Sequence, residues 1–213
     1  MLIKQSLSEQ IYQYLKKDII LQKIPCGSKL TIKELELNFN VSSTPVREAL
    51  TRLAQEGLID FSANVGARVC DFTIDDLVEI TDICEIFDCY AIEKAMGSEQ
   101  FGGLLNELEG ALINHEKIIE DNTEEIGEWY YSNDFHTAFY NYIGNARVKK
   151  NAESYRAQFS MVVAKSSYFE TLRDTLFEHK LIYGAVKEKN IGKAIFYLKQ
   201  HFENGRKRIL KMK

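Results

Sequence analysis

Proline is almost absent: the 213 residues hold two, Pro25 and Pro45, both within the first 50. The remainder is therefore free to run as long helices, and proline-rich linkers are excluded. Cysteine is scarce too. Cys26, Cys70, Cys84 and Cys89 form no CxxC pair and no disulfide-like framework, so all four read as small buried hydrophobes in a reducing compartment. No apolar run approaches a membrane span, and the opening MLIKQSLSEQIYQYLKK lacks the apolar stretch and cleavage site of a secretory signal. The expected location is the cytoplasm, with no membrane partner. A basic excess is also missing, because the formal net charge is −4, the wrong sign for a typical nucleic-acid partner. The charge is uneven, however. Residues 1–70 carry nine Lys/Arg against seven Asp/Glu, and the rest carries eighteen against twenty-four. A mildly basic head on an acidic body keeps DNA open as a partner.

What remains is an ordinary globular balance, 45% hydrophobic and 27% charged, long enough for one large domain or two small ones. The pattern changes near residues 70–74, which places the domains at 1–72 and 73–213. In the first, residues 6–22 set Ile11, Leu15, Ile19 and Ile20 near one helical face, and Pro25-Cys26-Gly27 turns the chain. Residues 31–38 read as a short helix, with Thr31 and Glu34 spaced as a capping box. A third helix runs from Thr44 to about Glu56, with Ser43 or Thr44 as N-cap, Pro45 in its first turn and Gly57 as its stop. Leu58–Phe61 and Ala67–Cys70 alternate as two strands around an Asn64-Val65-Gly66 turn.

Two helices joined by a short turn and followed by a β-hairpin are the parts of a winged helix-turn-helix. The helix from Thr44 would enter the major groove, and the hairpin tip would reach the neighbouring backbone. Ser42, Ser43, Thr44 and Pro45 sit where free amides and hydroxyls suit phosphate. Arg47, one turn in, reaches a guanine edge. Gly66 allows close approach of the wing, and Arg68 reaches a phosphate. Either arginine alone reads equally well as a solvated surface charge. The continuous pattern PxGxxLxxxxL…VSxTPVREALxRLxxEGLI…GxxV, from Pro25 to Val69, resembles the N-terminal signature of the GntR superfamily of bacterial transcription regulators. The resemblance implies DNA contacts at Lys33, Ser43, Thr44, Arg47 and Gly66. Relatives usually carry arginine where this chain has Ser43 and at Lys33, so their operator sequence does not transfer.

Residues 74–213 read as an all-α bundle of about six helices: 74–97, 99–121, 124–144, 146–166, 169–189 and 191–211. Gly144 fits a helix C-terminus and Asn145 the next N-cap. The terminal GRKRILKMK complements a helix dipole rather than offering a second DNA contact. His136, His179 and His201 fall on three separate helices, each in a pattern that points it inward. Converging imidazoles would hold zinc or nickel; a lone inward histidine is more often a satisfied core residue.

This half resembles the FadR subfamily's C-terminal (FCD) ligand-binding domain, in which a DxxxH helix and two later histidines hold a metal. His136, His179 and His201 fall on the three histidine positions, with a 22-residue step between the last two. Position 132 is serine instead of aspartate. Asn133 could donate its carbonyl oxygen, while Asp134 lies about 200° around the helix. Three outcomes stay open: three histidines completed by water or effector, a weaker site, or a metal-free pocket. Cys84 stands where relatives place a carboxylate-pairing arginine, and Ser132, Cys84, Phe87, Tyr140 and Arg156 are candidate effector-pocket residues. The resemblance thus implies a homodimeric repressor on a pseudo-palindromic double-stranded DNA operator, controlled by a small effector, expected to be a carboxylate. A metal-dependent enzyme is the rival, but no HExxH, nucleophile elbow or positioned base accompanies the histidines. A metal-free repressor binding a large acyl ligand is the third reading.

Overall fold

Ser6 opens the first helix, α1 (Leu7–Ile20), its hydroxyl accepting the Glu9 amide at 3.1 Å. The computed structural model describes residues 5–62, 66–121, 135–163 and 172–211. They belong to two units, Met1–Phe72 and Thr73–Lys213. In the first, α1 buries Ile11, Tyr12, Leu15, Ile19 and Ile20. It stops two residues short of the expected Gln22, which lies at φ 57° and so cannot continue a right-handed helix.

Strand β1 (Lys29–Leu30) follows the turn, then α2 (Ile32–Phe39), capped by Thr31 as expected: the hydroxyl accepts the Glu34 amide and donates to its carboxylate at 2.7 Å. Asn40 ends α2 at φ 52°, and α3 (Ser43–Gln55) begins three residues later. Its N-cap is Ser42, not Ser43 or Thr44, because Ser42 keeps the extended backbone while Ser43 already belongs to the helix. The Ser42 side chain makes no capping bond. Val46, Ala49, Leu50 and Leu53 are buried, which fixes how α3 is rolled. Gly57, at φ 69°, supplies the left-handed stop.

β2 (Ile59–Ser62) and β3 (Gly66–Val69) form an antiparallel sheet in the order β1-β3-β2, with Lys29 opposite Arg68 and Ile59 opposite Val69. Gly66 belongs to β3 rather than to the expected turn, because it already pairs with Ser62. Asn64 and Val65, the rest of that turn, lie outside the described residues.

The second unit begins with a capping box, Thr73 and Asp76, and contains α4 (Ile74–Met96), α5 (Phe101–Asp121), α6 (Phe135–Tyr140), α7 (Ala146–Val163), α8 (Leu172–Lys187) and α9 (Ile191–Leu210). α4 is the central element: α9, α7, α6 and α5 all pack against it, and α9 also packs on α8. The expected helix to residue 144 ends at Tyr140. Amides 141 and 142 bond three residues back instead of four, and Gly144 takes φ 66°. Asn145 then caps α7, accepting the Val148 amide at 3.1 Å. Among the described residues no helix is long and apolar enough to cross a membrane. The cysteines are free, but only Cys84 is buried. Cys26, Cys70 and Cys89 are partly exposed, because they sit at a turn, a strand end and the edge of the α4 stripe rather than on an inner face.

Candidate nucleic-acid interface and candidate metal centre

With its apolar stripe buried, α3 presents Thr44, Arg47, Glu48, Thr51 and Gln55 to solvent, spaced at three and four residues along one outward face. Thr51 bonds back to the Arg47 carbonyl at 2.8 Å, so the face is polar without being loose. Lys33 is exposed on α2, Ser42 is exposed, and Ser43 and Pro45 are partly covered in the first turn of α3. Arg68 is exposed on β3, but one guanidinium N–H already donates to the Gly27 carbonyl at 2.6 Å. Its remaining donors stay geometrically available because the guanidinium carries five. Gly66 sits at φ 99°, where a side chain would be strained.

In the helical unit, His136 of α6, His179 of α8 and His201 of α9 bring one ring nitrogen each to within 4.8 Å of one another. His136 Nε2 and His179 Nε2 are 3.1 Å apart. The first two rings are 2% and 4% exposed, whereas His201 is partly covered. Asp88 of α4, itself 2% exposed, lies with Oδ2 2.7 Å from His136 Nδ1, though poorly aligned with the ring N–H. Its other oxygen accepts the Tyr140 hydroxyl. Glu178 of α8 accepts from His201 Nδ1 at 2.7 Å, Asn204 Nδ2 at 2.8 Å and Arg208 Nη2 at 2.6 Å.

Burial disfavours charge throughout the cluster. It pushes Asp88 up to about 6, with Arg156 and Tyr140 pulling the other way. It holds His179 well below the ordinary histidine value, and the surrounding His201, His136, His115 and Arg156 reinforce that shift. Tyr140 is raised by burial and by the Asp88 charge. For Glu178, burial acts to raise the carboxyl, but the bonds from His201, Arg208 and Asn204 outweigh it and set the value at about 2.

The donor set fits a divalent metal. Imidazole suits zinc and nickel, and a ligating histidine ordinarily has a carboxylate or carbonyl on its other nitrogen. His201 has such a partner in Glu178, and His136 has the Asp88 carboxylate within 2.7 Å of its Nδ1. His179 Nδ1 is buried with no hydrogen-bond partner among the described residues, a cost that core packing alone does not explain. Cys84 is buried on the α4 face that carries Asp88, and Tyr140 and the 5%-exposed Arg156 are buried beside that carboxylate. Phe87 stacks on Tyr155 with ring centroids 6.1 Å apart. Ser132 and Asn133 lie outside the described residues.

Sequence reading missed Asp88, His115 and Glu178. Asp88 was legible as an acid within the apolar stripe Leu77, Ile80, Cys84, Ile92. His115 of α5, buried with its ring centroid 5.8 Å from that of His179, continues the stripe Leu104, Leu108, Ala111. Glu178 had no such signal, since it is an acidic neighbour of His179 on a half-exposed helix.

Residues 7–69 match the family model described as bacterial regulatory proteins, gntR family. The repressor RspR of Escherichia coli is 34% identical over 91 residues, 43% of this chain and 40% of RspR. The regulator YdhC of Bacillus subtilis is 26% identical over 196 residues, 92% of this chain and 87% of its own. The alignments to the first curated relatives span about half their length, 56% and 40%. Among solved structures, E. coli McbR/YncC superposes with TM-score 0.81 at 21% identity, covering 98% of this chain and 99% of that one, a likeness of fold.

Proposed function

We propose, from the premise that this chain is a GntR-family regulator with a helix-turn-helix domain, that it represses transcription by binding a pseudo-palindromic operator as a homodimer. Its relatives and its fold are those of transcriptional regulators, not enzymes. The observation that carries the reading is the outward face of α3. Val46, Ala49, Leu50 and Leu53 fix the helix by burial, leaving Thr51 displayed past its midpoint and Thr44 and Arg47 displayed in its N-terminal half. There a helix in the major groove meets base edges. Arg47 reads a guanine, Thr44 and the first-turn amides hold phosphate, and Lys33, Gly66 and Arg68 fix the register.

The helical unit, of the FCD kind, is the sensor. His136, His179 and His201 would hold zinc or nickel, with an effector carboxylate or Asn133 completing the set. Cys84, Tyr140 and Arg156 would line the effector pocket. The metal would supply a Lewis-acidic contact for the effector, and Arg156 a cation beside it. An effector binding one dimer state better than the other would shift operator affinity in proportion to that difference. The protein works in the cytoplasm, where its DNA is.

Selection from random duplexes followed by fluorescence anisotropy tests this. The wild type is expected to enrich a two-fold symmetric site and to bind it more weakly as salt rises. Arg47→Ala should lose about 1–3 kcal/mol and relax the preference at one base per half-site. An unenriched pool, or equal affinity for Arg47→Ala, would contradict the reading.

A further inference from the structure

We infer that Glu178 and Asp88 are the positioning carboxylates of the three-histidine site, fixing which nitrogen of His201 and of His136 faces the metal. The inference rests on the metal reading above and deepens it. A neutral imidazole has one N–H and one lone pair. Where Nδ1–H of His201 is committed to Glu178 at 2.7 Å, Nε2 is left as the lone-pair donor. Asp88 stands at 2.7 Å from Nδ1 of His136, and although its alignment is poor its charge favours a proton on that nitrogen, the same choice. The Nε2 of His136 is also the atom that meets His179 Nε2 at 3.1 Å. Two rings from two helices are thus turned the same way by acids from two others.

A carboxylate beside a buried histidine can also be no more than a satisfied core pair. Two details argue for positioning. Glu178 is clamped by three side chains, His201, Asn204 and Arg208, which is more than one ring requires. Asp88 is clamped by the Tyr140 hydroxyl and attracted by buried Arg156. In each acid the oxygen not facing the histidine is held by another side chain, Tyr140 for Asp88 and Asn204 with Arg208 for Glu178, so the ring inherits a fixed orientation.

Cobalt(II) titration of metal-free protein, with long-range nitrogen–proton NMR of the histidine rings, tests this. Wild type should bind cobalt, and its metal-free spectrum should show His136 and His201 as Nδ1–H tautomers. Glu178→Gln and Asp88→Asn should each bind cobalt about 10- to 100-fold more weakly and give a mixed tautomer at the affected ring. Tyr140→Phe, which leaves the Asp88 carboxylate in place, should lose less than Asp88→Asn. Glu188→Gln, at a surface pair remote from the histidines, should match wild type. If Asp88→Asn does not fold, Glu178→Gln carries the test, since Glu178 lies nearer the surface. Wild-type affinity and tautomers in a folded Glu178→Gln would overturn the inference and leave the metal reading intact. Cobalt binding by neither the wild type nor a His179→Ala, His201→Ala variant would overturn both.

Discussion

His115 is the buried imidazole that neither the DNA reading nor the metal reading uses, and it sets a pH limit on the fold. Burial lowers it to about 4, against an unfolded value of 6.5. Between those values the unfolded chain takes up the proton and the folded one does not, so stability rises with pH through that window and is lost as pH falls. Asp88, raised to about 6, works in the opposite sense between 3.8 and 6. The comparison must therefore be with a variant that changes His115 alone. In metal-free protein, His115→Gln should lose less melting temperature than wild type between pH 6.5 and 4. Parallel melting curves over that range would show that the imidazole is not held neutral. Residues of this kind mark where sequence reading stops. His136, His179 and His201 were legible because their helices carry clear apolar stripes. Glu178 was not, because its partners lie 23 to 30 residues away on another helix.

Elements were more legible than contacts, because a period of 3.6 survives over many residues while a contact depends on the roll of two helices. Where both sides of a boundary are described, the long helices begin and end within a few residues of where their stripes and caps place them. The two-residue β1 was not foreseen, since two residues have no period. The α3 start was misplaced by one position, because Ser42, Ser43 and Thr44 are all competent caps and only backbone geometry separates them. The capping box of α4 is a measurable case. Thr73 accepts the Asp76 amide at 3.2 Å, and the Asp76 carboxylate accepts the Thr73 amide at 2.8 Å. Thr73→Ala should cost about 0.5–2 kcal/mol in urea unfolding, with an unchanged m-value. A neutral substitution would mean that packing against α9 and α7 holds α4 without its cap.

At the scale of the molecule, the first unit carries an outward polar helix and the second a bundle around α4 whose helices bring polar side chains inward. Asp88, His115, His136, Arg156, His179 and His201 come from α4, α5, α6, α7, α8 and α9 in turn. So many ionisable groups in one interior are costly unless something bound there uses them. A ligand that binds only the folded state also raises its stability by mass action, so metal should raise the melting temperature of the helical unit. The most direct test is the metal content of untagged protein by elemental analysis, beside a His179→Ala, His201→Ala variant. The account predicts about one zinc or nickel per chain in the wild type and none in the variant. No metal in either sample, even after soaking, would contradict it, leaving the histidines as lining of a metal-free pocket.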